Sequence, residues 1–161
     1  MSGTYDLIIV GGGIGGSALA ATMAKAGKKI LLLEKSMIFE DHVRGEWIAP
    51  WGVAETKRLG LYDTLVAAGG HHLALHVSYD ETRTPQEAEA APLPLDMFVP
   101  DVPGPLCLGH PKHCQTLFDE GKRAGAETKR GVNVTLIEPG SAPRVEYSHE
   151  GKTHEATARL I

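Results

Sequence analysis

The 161-residue sequence has few cysteines, few aromatic residues and no long hydrophobic run. Its two cysteines, Cys107 and Cys114, are too few for the disulfide framework of a small secreted protein and fit reduced thiols. No apolar segment reaches the roughly 18 residues that a membrane-spanning helix needs. The N-terminal residues lack the charged, apolar and cleavage regions of a signal peptide. We therefore expect a cytoplasmic protein with no membrane partner.

The sequence also lacks a strong excess of charge of either sign. Its formal net charge is -4, so no general attraction to nucleic acid is expected. Three histidines lie close together, at His71, His72 and His76, in a segment with the alternating pattern of a strand. Neighbouring strand residues point to opposite faces, and no acid or cysteine completes a ligand set. We therefore predict no metal site.

The segment from Tyr5 to Lys35 has the pattern of one β-α-β unit. Leu7 to Val10 and Ile30 to Leu33 are continuously apolar, which is typical of parallel strands buried on both faces. Between them, Ile14 to Ala26 is rich in alanine and predicts a smooth helix that can lie close to a sheet.

Glycines fill the turn between the first strand and this helix. Gly11, Gly13 and Gly16 match the pattern G-x-G-x-x-G. The first allows a tight turn, the second lets a pyrophosphate approach the backbone, and the third lets the helix pack closely. Ile14 and Gly15 open the helix, whose N–H groups and positive partial charge favour phosphate. We predict that these five residues bind a dinucleotide.

An acidic residue ends the second strand. Glu34 follows Gly16 by 18 residues, near the spacing of about 20 at which an acid binds the ribose of a dinucleotide. Its carboxylate can accept both ribose hydroxyl protons and would repel a 2′-phosphate, which disfavours NADP here. Lys35 comes next and is included in the predicted site. This unit alone leaves FAD and NAD open.

The stretch after Lys35 carries a family resemblance. It contains Arg44-Gly45 and then Leu59-Gly60-Leu61-Tyr62-Asp63-Thr64-Leu65. An arginine after the ribose-binding acid and an LGL-x-D-x-L stretch make the chain similar to flavoprotein monooxygenases of the para-hydroxybenzoate hydroxylase type. The likeness spans most of the chain and is strongest from Tyr5 to Gly70. It implies FAD as the cofactor and Arg44 as a ligand of its diphosphate or ribose. It also implies that His110, where the family often has arginine or glutamine, reaches the flavin side.

The resemblance further implies an activity for the intact enzyme. Such enzymes use NAD(P)H and O2 to hydroxylate an organic, often aromatic, small molecule. The family continues beyond the last strand with further flavin-binding motifs and a substrate domain, whereas this sequence ends at ATARLI. We therefore expect an N-terminal part of the enzyme, truncated before the substrate domain and inactive alone. No catalytic residue is predicted.

These patterns predict an α/β fold, a Rossmann-like three-layer FAD/NAD(P)-binding domain. A parallel sheet would carry a β-hairpin or antiparallel insertion, with the hairpin turning at Glu150-Gly151. We expect one domain over residues 1–161 with a proline-rich loop at about 81–105. Finer expectations are two short helices broken at Gly60, a short strand over Asp96 to Val99, and a solvated His113.

Three alternative functions remain open at this point. One is a FAD-dependent reductase of the geranylgeranyl reductase type, because Arg44-Gly45-Glu46 slightly resembles a loop of that family. Another is a flavin-dependent halogenase. The third is a catalytically inert nucleotide-binding fragment.

Overall fold

A computed structural model describes residues 4–41 and 47–161. In chain order the elements are β1 (Tyr5–Val10), α1 (Ile14–Lys25), β2 (Ile30–Leu33), β3 (Trp47–Ile48), α2 (Pro50–Arg58), α3 (Tyr62–Ala67), β4 (His71–His72), β5 (Leu75–His76), α4 (Pro85–Glu89), β6 (Leu93–Pro94), β7 (Leu106–Cys107), α5 (His110–Arg123), β8 (Glu127–Lys129), β9 (Asn133–Glu138), β10 (Arg144–His149) and β11 (Lys152–Leu160). They divide into two compact units. The first unit comprises residues 4–41 with 111–161, and the second comprises residues 47–110.

A six-stranded sheet in the order β8-β2-β1-β11-β10-β9 forms the centre of the first unit. The strands β8, β2, β1 and β11 run parallel to one another, and β10 pairs antiparallel with both β11 and β9. Strand β1 pairs with β2 in the register Ile8↔Leu31 and Val10↔Leu33. The hairpin turns at Glu150-Gly151, as predicted, and Glu150 has a positive φ of 51° there.

Both faces of the parallel strands are covered, which explains their unbroken apolar sequences. On one face, Leu7, Ile9 and Leu32 pack with Ala20 of α1 and Phe118 of α5. On the other face, Ile8, Leu31 and Leu33 pack with Val145 and Tyr147 of β10. The result is a three-layer arrangement of helices, parallel sheet and antiparallel strands. The predicted α/β fold, with its parallel sheet and antiparallel insertion, is confirmed.

Short elements build the second unit. Helices α2 and α3 are separated around Gly60, whose φ of 64° a side chain would strain, so the predicted break is confirmed. Two-residue strands form a small antiparallel sheet in the order β3-β7-β4, and β5 pairs with β6. Among the described residues, no helix has the length and apolar character that crossing a membrane requires.

The proline-rich region differs from prediction. The expected strand over Asp96 to Val99 is wrong, because these residues form bends and turns, and β5 pairs with Leu93–Pro94 instead. A helix that was not predicted, α4, begins at Pro85. Its N-cap Thr84 and third residue Glu87 form a reciprocal capping box. The region 81–105 therefore contains local structure that its composition concealed.

The expectation of a solvated His113 is also wrong. Its side chain is buried on α5, next to Cys114 and one turn from Leu117. The face of α5 that the protein covers is thus wider than the apolar stripe read from the sequence.

Candidate functional site

The turn between β1 and α1 requires glycine at both of its ends. Gly11 has a φ of +105°, a conformation that L side chains rarely adopt, and its N–H donates to the carbonyl oxygen of Leu33 at 2.8 Å. At Gly16 an added Cβ would lie 1.9 Å from the carbonyl oxygen of Gly11. The first turn of α1 therefore packs directly onto the end of β1, as the third glycine of the pattern predicts.

The outer side of the same turn is open. An added Cβ at Gly13 or Gly15 would meet no atom of the described residues within 4 Å. Gly13 is the N-cap of α1 with φ −67° and ψ −169°, an extended conformation open to any residue, so the backbone does not require glycine there. The N-cap residue Gly13 has no side chain that could cap the first turn of α1, and no acidic residue lies in that turn. The open side thus has the room and the N–H donors that a diphosphate needs.

The carboxylate of Glu34 lies beside this turn. Its Oε2 accepts a hydrogen bond from the Gly12 N–H at 2.5 Å, and its Oε1 accepts one from the Ser36 N–H at 2.7 Å. The residue directly follows β2 and is only 8% exposed. Each carboxylate oxygen can accept more than one hydrogen bond, so hydroxyl donors can still bind. The structure therefore brings together the acid and the glycine turn that the sequence predicted as one site.

A cleft of about 340 Å³ opens at the carboxyl ends of β1 and β2. Its lining combines aliphatic side chains with the Glu34 carboxylate and the exposed Lys35: Val10, Gly11, Leu33, Glu34, Lys35, Val132, Asn133 and Val134. The cleft thus lies outside the carboxyl ends of two neighbouring parallel strands, which is where open α/β sheets bind ligands. Its aliphatic lining and its carboxylate have the chemistry to bind an apolar ring attached to a sugar.

Residues that the sequence analysis missed hold the turn in place. The Ser17 hydroxyl donates to the carbonyl oxygen of Gly12 at 2.6 Å, and both residues are buried. An added Cβ at Gly12 would lie 3.0 Å from the Phe118 ring of α5. The hydroxyl of Ser17 in an alanine-rich helix was the available signal for the first contact. No local signal pointed to Phe118, because it is distant from Gly12 in the sequence.

Two predicted cofactor ligands are not among the residues that the first unit brings together. Arg44 lies outside the described residues. His110 is the first residue of α5 and belongs to the second unit. Their roles stay predictions that rest on the family resemblance.

The second unit has an apolar cleft of its own, with a volume of about 240 Å³. Aromatic and aliphatic side chains dominate its lining: Trp47, Pro50, Trp51, His76, Leu93, Leu95, Phe98 and Pro105. Trp51 is 66% exposed, so this side chain is not part of a closed core.

Comparison with known proteins identifies the family. The sequence profile described as "FAD binding domain" matches residues 4–161. The chain belongs to the FAD binding domain family. FAD is therefore its cofactor, and the resemblance to flavin monooxygenases drawn from the sequence is confirmed.

Individual relatives agree with this assignment. Squalene monooxygenase SE1 of Panax ginseng is 33% identical over 166 residues, which cover 99% of this chain and 29% of that protein. The chain thus spans less than a third of the length of this relative. Among solved structures, p-nitrophenol 4-monooxygenase PnpA from Pseudomonas putida DLL-E4 superposes with a TM-score of 0.83. It is 18% identical, over 99% of this chain and 40% of its own, and shows the shared fold.

One solved relative is a halogenase. The myxobacterial chondrochloren halogenase CndH superposes with a TM-score of 0.78 at 26% identity, over 98% of this chain and 36% of its own. The fold is thus shared by flavin enzymes of different chemistry.

Proposed function

We propose that the first unit holds the adenosine diphosphate half of FAD. One observation carries this proposal: the Glu34 carboxylate lies against the Gly12 amide, beside a turn whose outer glycines face open space. A carboxylate at that place can accept the hydroxyl protons of a ribose. The open backbone beside it admits the diphosphate that is joined to the same sugar.

Each predicted residue has a physical role in this arrangement. Gly11 and Gly16 shape the turn, and Gly13 and Gly15 leave room for phosphate oxygens. The N–H groups at the start of α1, from Ile14 onward, donate to those oxygens, since the N-terminus of a helix carries positive partial charge. Lys35 lies at the rim of the 340 Å³ cleft and adds positive charge near the nucleotide.

The base fits the same cleft on chemical grounds. Val10 and Leu33 border it on the side of β1 and β2, and Val132 and Val134 border it on the side of β9. Aliphatic walls bind the faces of an adenine ring, while Glu34 remains next to its sugar. On the resemblance, Arg44 and His110 add contacts to the diphosphate and the flavin side.

We further propose that the whole protein is an FAD-dependent monooxygenase that uses NAD(P)H and O2 to hydroxylate a small organic molecule. FAD supplies the redox chemistry, and this part of the protein binds and orients its nucleotide end. The names of the ginseng and Pseudomonas relatives support oxygenation of an apolar isoprenoid or an aromatic compound. The apolar cleft of the second unit offers aromatic and aliphatic side chains to such a substrate.

Three further proposals concern the chain itself. Residues 1–161 act as one FAD-binding portion that includes the proline-rich segment, and this portion binds without turnover when alone. Both cysteines are thiols, which supports a cytoplasmic location.

Halogenation is a second candidate activity, and the likeness to CndH favours it. Product analysis of the whole protein with NAD(P)H, O2 and added chloride distinguishes the two. A chlorinated product that disappears without chloride supports the halogenase, whereas a hydroxylated product formed without chloride supports the monooxygenase.

A competition titration tests the binding proposal. FAD fluorescence is followed while the 161-residue chain is added, and ADP or FMN is then added as competitor. We expect ADP to displace FAD and FMN to have little effect, because the site holds the adenosine end. Displacement by FMN but not by ADP would contradict the proposal.

A further inference from the structure

Arg130 occupies an unusual position directly after β8. Its guanidinium carbon lies 4.3 Å from the ring centroid of Phe39 and 4.3 Å from that of Phe118, so the cation contacts both aromatic rings. Its Nη1 donates to the carbonyl oxygen of Met37 at 2.7 Å, and its Nη2 donates to Oε1 of Gln115 at 2.9 Å. The side chain therefore contacts two aromatic rings and donates to two oxygen atoms.

These partners belong to two different parts of the first unit. Met37 and Phe39 lie in the segment 36–40, which follows Glu34 along the chain. Gln115 and Phe118 lie on α5. The rings of Phe39 and Phe118 also contact each other edge to face, with centroids 6.1 Å apart. Arg130 thus fastens the segment 36–40 to α5.

The segment 36–40 and helix α5, which Arg130 connects, are each linked to Glu34. Phe118 packs against Gly12, the residue whose N–H donates to Oε2 of Glu34. Ser36, at the start of the fastened segment, donates its N–H to Oε1 of Glu34. One of the two hydrogen bonds that orient the carboxylate therefore comes from the segment that Arg130 joins to α5, and the other comes from Gly12, against which Phe118 of α5 packs.

We propose that Arg130 is a positioning residue for the nucleotide site, which keeps the Glu34 carboxylate oriented towards the ribose. This inference rests on the proposed binding of the adenosine diphosphate half of FAD. The geometry requires arginine in particular. Its planar guanidinium can contact two rings while it donates from two nitrogens, whereas the ammonium of lysine is a compact charge without a flat face.

The test compares three variants of the chain in ADP binding, thermal stability and amide hydrogen exchange. Arg130→Met keeps the length of the side chain but removes the charge and both donors. Arg130→Lys keeps the charge alone. Arg159→Met is the matched control, since Arg159 is 78% exposed and its ion pair with Asp6 is long, at 3.7 Å.

We expect Arg130→Met to raise the Kd for ADP about tenfold and to speed exchange of the amides in the segment 36–40. The melting temperature should change little, since the side chain is only half-buried and touches a surface segment. Arg130→Lys should recover less than half of the lost affinity, and Arg159→Met should match the wild type. In a Glu34→Gln background, Arg130→Met should raise the Kd only about twofold, because the effect acts through Glu34.

Other outcomes overturn the inference in distinguishable ways. If the wild type binds ADP and Arg130→Met binds it equally well, Arg130 has no positioning role and the proposed function stands. A loss of affinity in proportion to a loss of stability, without faster exchange in the segment 36–40, shows a purely structural role. Should Arg130→Met fail to fold, Arg130→Lys carries the test, and wild-type affinity in that variant overturns the inference. Failure of the wild type itself to bind ADP removes the proposed function and this inference together.

Discussion

An added methyl group at Gly16 would come within 1.9 Å of a backbone oxygen, whereas at Gly13 it would meet no atom within 4 Å in the part of the chain that the structure describes. The inner side of the turn, Gly11, Gly12 and Gly16, is constrained by the chain itself. The outer side, Gly13 and Gly15, is not constrained by any neighbouring atom of the described chain. Glycine thus serves two purposes within six positions. On the inner side it allows close packing of the backbone, and on the outer side it leaves access for a ligand.

The difference between the inner and outer sides of the turn predicts separate effects on two measurable properties, the stability of the first unit and its affinity for the nucleotide. Substitutions on the inner side should lower the stability of the first unit, because they force backbone apart. Substitutions on the outer side should lower affinity for the nucleotide and leave stability nearly unchanged. Ranked by expected size, four changes test this separation.

The largest effect is expected for Gly16→Ala. Its Cβ would clash with the carbonyl oxygen of Gly11, and neither backbone segment can move without disturbing β1 or α1. We expect the free energy of unfolding to fall by about 3 kcal/mol, the upper part of the usual range for overpacking. Urea denaturation followed by circular dichroism measures it, and a loss below about 1 kcal/mol would show that the inner side is not tightly constrained.

Glu34→Gln should have the next largest effect, on binding. The amide can still accept from the Gly12 N–H, but it loses the negative charge and one acceptor for the ribose hydroxyls. We expect ADP affinity to fall about thirtyfold, since a hydrogen bond to a charged group contributes about 2 kcal/mol. Calorimetric titration measures the change, with the exposed Glu81→Gln as control. Unchanged affinity in Glu34→Gln would refute the role of the carboxylate.

Gly13→Ala should affect binding somewhat less and stability hardly at all. The added methyl would enter the space proposed for phosphate oxygens, so ADP affinity should fall about tenfold. The free energy of unfolding should stay within about 0.5 kcal/mol of the wild type, because the backbone there suits any residue. The same titration and denaturation, run beside Gly16→Ala, should give the opposite pattern. A matching loss of stability in both variants would erase the distinction between the two sides.

The smallest effect concerns a region of the first unit away from the turn. Arg123, with further help from Lys25, lowers the pKa of the buried Glu120 carboxyl from 4.5 to about 2. Because the folded-state pKa is lowered, this carboxylate stabilises the fold above about pH 4.5, and the benefit is lost as the pH falls towards 2. Glu120→Gln should cost about 1 kcal/mol at pH 7 and progressively less on acidification, with ADP affinity unchanged.

Denaturation of both proteins between pH 2 and 7 checks this expectation. A difference between wild type and Glu120→Gln that stays constant over that range would show that the ion pairs contribute nothing. A loss of ADP affinity in this variant would show that stability and binding are not separable in this unit.

Local sequence patterns predicted the part of the fold that positions the site. Ile30 to Leu33 could be predicted as a strand because burial on both faces demands an unbroken apolar run. Glu34 could be placed at its end, beside the turn, because parallel strands deliver their carboxyl ends to one edge. The outer glycines could not be distinguished from the inner ones, since that difference depends on which atoms surround each backbone position.

Elsewhere the determining contacts are distant in sequence. Leu106–Cys107 forms a strand only by pairing with both Trp47–Ile48 and His71–His72, and two-residue strands carry no periodicity. Arg130 gave no local sign of its contacts with Phe39 and Phe118, which lie 91 and 12 residues before it along the chain. The helix α4 is different, because Thr84 and Glu87 were a readable capping signal that the surrounding prolines obscured.

The central claim is that the Glu34 carboxylate binds the ribose of an adenosine diphosphate group at the glycine turn. Titration of the wild-type chain with ADP and with its 2′-phosphorylated derivative tests it most directly. The account predicts that the extra phosphate weakens binding at least tenfold, because it would be repelled by the carboxylate at the sugar. Equal or tighter binding of the 2′-phosphorylated compound would contradict it.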